Sequence, residues 1–193
     1  MSDDLDKADR TALAPSRALP ERASIAVRPS RTGGYEVVVE NAAIARIAPA
    51  GPATGFARAV GECSDARWLF GCRRERRSWH GVVEESGRDQ PIAGYYPRRL
   101  VAGGELAFWG HSYRLQYRYV RGDWRLRADA GEILATLRGR SGWWDTTAIK
   151  ELTAQVEPAF RLQPDFMPAL LFTIWIILLE QETPRFTGGG GGP

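Results

Sequence analysis

The chain has 193 residues, about one domain with tails, and its 44% hydrophobic content is ordinary for a globular protein. A formal net charge of +3 is too small to imply a polyanion partner by itself, and the basic residues are almost all arginine, since the only lysines are Lys7 and Lys150. Cys63 and Cys72 do not make a disulfide framework, and the N-terminal stretch has no apolar signal-peptide core, so reduced thiols in a cytoplasmic setting are expected.

Residues 1–23 carry Asp3, Asp4, Asp6, Asp9, Pro15 and Pro20 without hydrophobic periodicity and are expected to be disordered. Tyr35 to Val39 reads as a strand, Asn41 as a turn and Ile44 to Ile47 as the return. Pro49 to Gly55 is a Pro/Gly/Ala loop. Trp68 to Phe70 and Trp79 to Glu84 read as strands, Ser86 to Asp89 as a turn, Ile92 to Tyr96 as a strand and Gly103-Gly104 as another turn. From Tyr113 to Tyr119 bulky and polar residues alternate with period two, the signature of a half-buried strand. Gly122-Asp123 reverses the chain into Trp124 to Arg127, and Asp129-Ala130-Gly131 reverses it again into Ile133 to Leu137. Gly139 and Gly142 bracket a loop before a last strand over Thr146 to Val156.

A weak repeat runs through these strands: an aromatic opens a strand, a polar turn follows, and an aliphatic-Ala pair starts the return. Its instances run from Tyr35 to Ile44-Ala45, from Trp79 to Ile92-Ala93 and from Trp124 to Leu134-Ala135. Each is one β-hairpin with one face for a core.

The last element differs from all the others. Phe166 to Leu179 is apolar apart from Pro168, Ala169 and Thr173. Such a helix rises about 21 Å, short of a hydrocarbon core of about 30 Å, and Glu180 and Glu182 follow it directly. A buried helix over about 165–182, with Asp165 as N-cap, is therefore favoured over a membrane span. Leu170, Leu171, Phe172, Ile174, Trp175, Ile177 and Leu178 point in every direction around its axis, so it must be sheathed on all sides. An antiparallel sheet curled into a closed β-barrel around this central C-terminal α-helix satisfies both elements and removes the sheet edges. The fold class is mainly β, with a domain over 24–183 and a flexible Gly-rich tail over 184–193.

The hairpin Trp124-Arg125-Leu126-Arg127, Asp129-Ala130-Gly131-Glu132, Ile133-Leu134-Ala135, together with the closing FMPALLFTIWIILLE, resembles the tubby C-terminal-like superfamily. The LURP-one-related branch looks closest, with phospholipid scramblases as cousins, and the resemblance spans roughly residues 30 to 182. It implies a barrel of about twelve strands around a central hydrophobic helix. It also implies phosphoinositide binding through basic residues for tubby proteins, but two lysines far from the hairpins give that site no counterpart here. The acidic calcium-binding and cysteine-rich lipidation segments of scramblases have no counterpart either.

Cys63, Cys72, His80 and His111 match no metal-ligand spacing, and neither a metal nor a cofactor is expected. His80 or His111 with Glu84, Glu85 or Glu105 would serve a small hydrolase-like enzyme, yet no nucleophile motif accompanies them. Gly33-Gly34 and Gly103-Gly104 lack the context of phosphate loops, and Arg121-Gly122-Asp123 reads as a strand turn. The basic residues carry more content. Arg73, Arg74, Arg76 and Arg77 surround Glu75 in an expected loop. Arg114, Arg118, Arg125 and Arg127 occupy the polar faces of adjacent strands. These residues are the candidates for anionic lipid head groups, against the alternative of a solvated outer wall. The expectation is a cytoplasmic, non-enzymatic binding module, peripheral at an anionic membrane surface or bound to a protein. A membrane-anchored scramblase-like protein is the further alternative. Nucleic acid is not expected, because the aromatics of these strands alternate inward.

Overall fold

The computed structural model describes residues 24–51, 55–64, 66–75, 78–85, 92–98, 102–108, 110–139 and 151–182. The segments expected to be disordered or flexible at the two ends, the turn over Ser86 to Asp89 and the start of the last expected strand lie outside them. The strands are β1 (Ile25–Pro29), β2 (Tyr35–Val39), β3 (Ala42–Pro49), β4 (Arg58–Cys63), β5 (Arg67–Glu75) and β6 (Ser78–Glu85). They continue with β7 (Ala93–Pro97), β8 (Gly103–Phe108), β9 (His111–Arg118), β10 (Asp123–Ala128), β11 (Ile133–Gly139) and β12 (Leu152–Val156). Two helices follow, α1 (Pro158–Arg161) and α2 (Phe166–Glu182). Each strand pairs antiparallel with its chain neighbours, and β1 closes on β12 with Ile25 opposite Ala154, giving a closed barrel of twelve strands.

Period two decides which side chains enter the barrel. In β9, Tyr113 and Leu115 are buried while Arg114 and Gln116 are exposed; in β10, Trp124 and Leu126 are buried. The aliphatic-Ala pairs of the repeat mark places where this period breaks. Val37 faces Ala45 and Val38 faces Ala43, which leaves Ile44 as the extra residue of a β-bulge. Leu126 faces Ala135 and Arg127 faces Ile133, which leaves Leu134 in the same role. On β7, Val83 faces Ala93 while the Ile92 N–H also donates to the Val83 carbonyl at 2.9 Å. A bulge sets two residues against one, so Ile44-Ala45, Ile92-Ala93 and Leu134-Ala135 all bury both members. The extra local twist helps the sheet curl to closure.

α2 fills the barrel. Leu170, Leu171, Phe172, Ile174, Trp175, Ile176 and Ile177 are completely buried, which is possible all round a helix only if protein surrounds it. The polar side chains of α2 inside the barrel find partners, whereas the buried Trp124 Nε1 on the wall has none among the described residues. Thr173 Oγ1 donates to the Ala169 carbonyl at 2.8 Å, and Trp175 Nε1 donates to the Phe56 carbonyl at 2.7 Å. Phe56 lies in a 3-10 turn, Gly55–Ala57, between β3 and β4. Tyrosines tie both helix ends to the wall: Tyr113 Oη donates to Asp165 Oδ2 at 3.2 Å, and Tyr95 Oη donates to Glu180 Oε1 at 2.9 Å. The carbonyl of Asp165 accepts from the Ala169 N–H at 3.0 Å, which places Asp165 at the expected N-cap position. α1 precedes the helix and buries Phe160 edge-on against Phe166 at 5.3 Å.

Several expectations change. Gly103-Gly104 is not a turn but the start of β8, and Asp123 is the first residue of β10 rather than half of a turn. β1, β4, β8 and α1 have no counterpart among the expected elements. β5 runs on to Glu75, so Arg73 and Arg74 stand on a strand and not in a loop.

Candidate anion-binding face

The outer wall holds the arginine candidates, and its two halves are built differently. Across β1 to β5 the charges alternate in cross-strand register: Arg28 faces Glu36, Glu36 faces Arg46, Arg46 faces Glu62 and Glu62 faces Arg67. Opposite charges set across a strand pair stabilise it. Arg28 also bonds Glu151 at 3.3 Å. This half of the wall neutralises itself.

The β8–β11 half follows that rule in the row Arg118, Asp123, Arg138 but breaks it in another. The two expected rows do become neighbours, and Arg127 stands directly opposite Arg114 across β9 and β10. Arg125 faces Gln116 on one side and Thr136 on the other, so neither strand neighbour offers it a carboxylate. Arg118 faces Asp123, which in turn faces Arg138 on β11. Asp123 is completely buried although it belongs to the outward row. Its Oδ2 lies 3.7 Å from Arg125 Nη2 and 3.9 Å from Arg138 Nη2, within Coulombic reach but beyond hydrogen-bond length. Neither of its oxygens has a hydrogen-bond partner in the protein. Asp123 is thus the acid that lets this cluster of arginines assemble. Glu132 lies in the β10–β11 turn.

The arginines are not equivalent. Arg127 Nη1 donates to the Gly131 carbonyl at 2.9 Å, and Arg125 is mostly covered and turned to Asp123. Both hold the wall together. Arg114 is exposed and Arg118 half-buried. Arg114 faces Glu105 on β8, but the Glu105 carboxylate bonds Arg98 at 3.3 Å. Positive charge is therefore in excess here, with Arg114, Arg118 and Arg138 as its accessible members.

The other arginine group lies elsewhere, with β6, β7 and β8 between it and β9. Arg73 bonds Glu84 at 3.1 Å. Arg74 is on β5, and Arg76 and Arg77 lie outside the described residues. The structure therefore does not merge the two groups into one patch. His80 stacks on Tyr96 across β6 and β7 at 6.1 Å, while His111 opens β9 beside Tyr113 at 6.4 Å, so the two imidazoles stand on different walls. Cys63 is buried on β4 and Cys72 half-buried on β5. No group of His, Cys, Asp and Glu suited to a metal occurs among the described residues. A depression in the wall is lined there by Arg138, Gly139, Glu151 and Thr153.

Sequence reasoning missed Asp123 and Arg138. Arg138 was legible in principle, since it alternates with the buried Leu137 in β11. Asp123 was masked by the glycine before it, which made both residues read as a turn.

Tyr113 has a strongly perturbed acidity. Burial, then the charge of Asp165 and the hydrogen bond to it, hold the phenol well above its ordinary value of 10.0.

No family model matches the chain, and no curated protein sequence matches it. A crystal structure of a protein from Arabidopsis thaliana shares the fold, with a TM-score of 0.54 and 12% identity over 88% of this chain and 96% of that one. No helix among the described residues is long and apolar enough to cross a membrane.

Proposed function

We propose that this barrel is a non-enzymatic binding module of the tubby C-terminal-like type, closest to the LURP-one-related branch, that docks on anionic lipid head groups through its β9–β10 wall. The observation that carries this reading is the like-charge pair Arg114–Arg127, set directly across two strands beside Arg118. Juxtaposed cations cost stability unless an anion intervenes, and the buried acid nearby is already turned to Arg125 and Arg138. The other half of the wall solves the same problem with alternating glutamates, so a solvated surface does not require this arrangement. The resemblance in the hairpins and closing helix supports the family assignment, and the twelve-strand barrel around a buried helix is the architecture it implies. On this reading the protein works in the cytoplasm and is peripheral at a membrane.

Vesicle co-sedimentation tests it. Phosphatidylserine-containing vesicles should bind the protein more strongly than phosphatidylcholine vesicles at low salt, and the difference should shrink as salt shortens the Debye length to about 8 Å. Replacing Arg114 and Arg118 with serine should weaken binding by about 1 kcal/mol per arginine. Arg125 is kept, because its loss would leave Asp123 with less compensation. Equal partitioning of the wild type into both vesicle types overturns the proposal.

A further inference from the structure

The β9–β10 turn ends the arginine wall with an apolar side chain in full contact with water. Val120 is 98% exposed, and Tyr119 beside it is 52% exposed. A lone exposed aliphatic is ordinary, but this one is held in place. The N–H groups of Arg121 and Gly122 donate to the Arg118 carbonyl at 3.1 and 2.8 Å, which closes the turn. Tyr119 Oη accepts from the Ala102 N–H at 3.3 Å, and its ring meets Tyr117 edge-on at 5.2 Å. Val120 is presented at the tip of a fixed turn, with Arg118 and Arg121 on either side.

The two rims of the barrel also differ in charge. Antiparallel pairing puts the β1–β2, β7–β8 and β9–β10 turns on one rim, and the β2–β3 and β10–β11 turns and the end of β12 on the other. Among the described residues, the first rim's turns carry Arg31, Arg98 and Arg121. The second rim carries Glu40, Asp129, Glu132 and Glu157, with Arg161 of α1 and Arg67 at the start of β5 as exceptions. Near the first rim, Glu151 is bonded to Arg28 and Glu105 to Arg98, and Glu180, at the C-terminal end of α2, accepts from Tyr95 Oη. The second rim has its own exposed apolar residue, Leu162 at 86%, on the rim that carries the acids named above.

We infer that the protein meets an anionic bilayer rim-first, with the β9–β10 turn inserted and Val120 as the side chain that enters the acyl boundary. This rests on the anionic-lipid reading above and adds an orientation to it. An aliphatic tip beside an aromatic ring and flanked by arginines suits the interface of an anionic membrane, where apolar burial and attraction to head groups act together. The acidic rim then faces away, so the barrel's own charge distribution aligns it before contact.

The test compares full-length variants on phosphatidylserine vesicles at low salt. Val120→Ser, which leaves charge unchanged, should lower the partition coefficient about tenfold. Arg121→Ser should lower it about fivefold. Val120→Phe should raise it, and Leu162→Ser should leave it unchanged. Both apolar sites are exposed, so unfolding temperatures should match wild type. Suppose Arg114→Ser with Arg118→Ser loses binding while Val120→Ser and Val120→Phe behave as wild type. The wall then docks side-on, and the rim-first inference is overturned while lipid binding stands. Absence of any preference of the wild type for anionic vesicles overturns both and leaves an acidic protein surface as the target.

Discussion

Asp123 and Asp165 are both withdrawn from solvent, and their different surroundings give them different work. Asp165 sits at the mouth of the barrel and accepts from Tyr113 Oη at 3.2 Å, an anchor between β9 and the start of α2. The Asp123 carboxylate has no hydrogen bond among the described residues and acts through charge on Arg125 and Arg138. Removing the phenol in Tyr113→Phe should cost about 1–3 kcal/mol, because a buried carboxylate oxygen loses its donor. The pH dependence has a definite sign. The phenol is held above its ordinary value of 10.0, so it remains protonated in the fold after the unfolded chain has begun to ionise. Its contribution is complete below pH 10.0 and is lost as the pH rises through the elevated folded value. Thermal unfolding followed from pH 8 to 11 should therefore fall more steeply above about 10 for wild type than for Tyr113→Phe. Equal slopes would remove Tyr113 as the anchor.

At the scale of the elements, the hairpins set how close the wall can come to the helix. Gly81 on β6 faces inward, and a Cβ there would lie 2.9 Å from Ile176 Cδ1 and 3.0 Å from Trp175 Cζ3. On the paired strand β5, a Cβ on Gly71 would meet only Val82 Cγ2, at an ordinary 3.5 Å. Gly81→Val should thus destabilise by about 1–3 kcal/mol through overpacking. Gly71→Ala should stay within about 0.5 kcal/mol of wild type in chemical denaturation. Equal effects would mean that α2 does not press on β6. The same residues show what could be read before the fold was known. Alternating bulky residues exposed β9 and β10, and the aliphatic-Ala pairs picked out three hairpins, though their meaning as bulges needed the register. β4 escaped because its inner positions include Ala59 and Gly61, and a Cβ on Gly61 would strike the Phe70 ring at 2.5 Å. A strand made thin for a neighbour's ring has no hydrophobic rhythm of its own. Gly103 misled for a related reason. It reads as a turn, but it marks close strand approach, since a Cβ there would strike the Leu115 carbonyl oxygen. The arginine rows were legible from period two; the acid beneath them was not, because cross-strand pairing is set by register and not by local pattern.

For the whole molecule, the decisive fact is that the filler of the barrel is made last. β1 must pair with β12, Val27 opposite Leu152, before the ring is complete, and α2 follows β12 in the chain. A barrel of eight strands has an interior that wall side chains can just fill. Twelve strands enclose more than that, and α2 occupies the difference with side chains buried on every face. Burying about ten such side chains contributes roughly 15–30 kcal/mol before entropy, an upper bound that still exceeds the net stability of a typical domain of about 5–15 kcal/mol. The closed wall therefore has no stable existence without its helix. A chain ending after Gln163 should show no cooperative thermal transition and should bind the hydrophobic dye ANS, as expected for a collapsed sheet with exposed apolar faces. A chain ending after Glu182 should melt as the full protein does, because α2 is then intact. A cooperative melt with native near-ultraviolet dichroism in the chain ending at Gln163 would mean that the twelve strands close on their own. α2 would then be a guest in the barrel rather than the element around which the wall condenses.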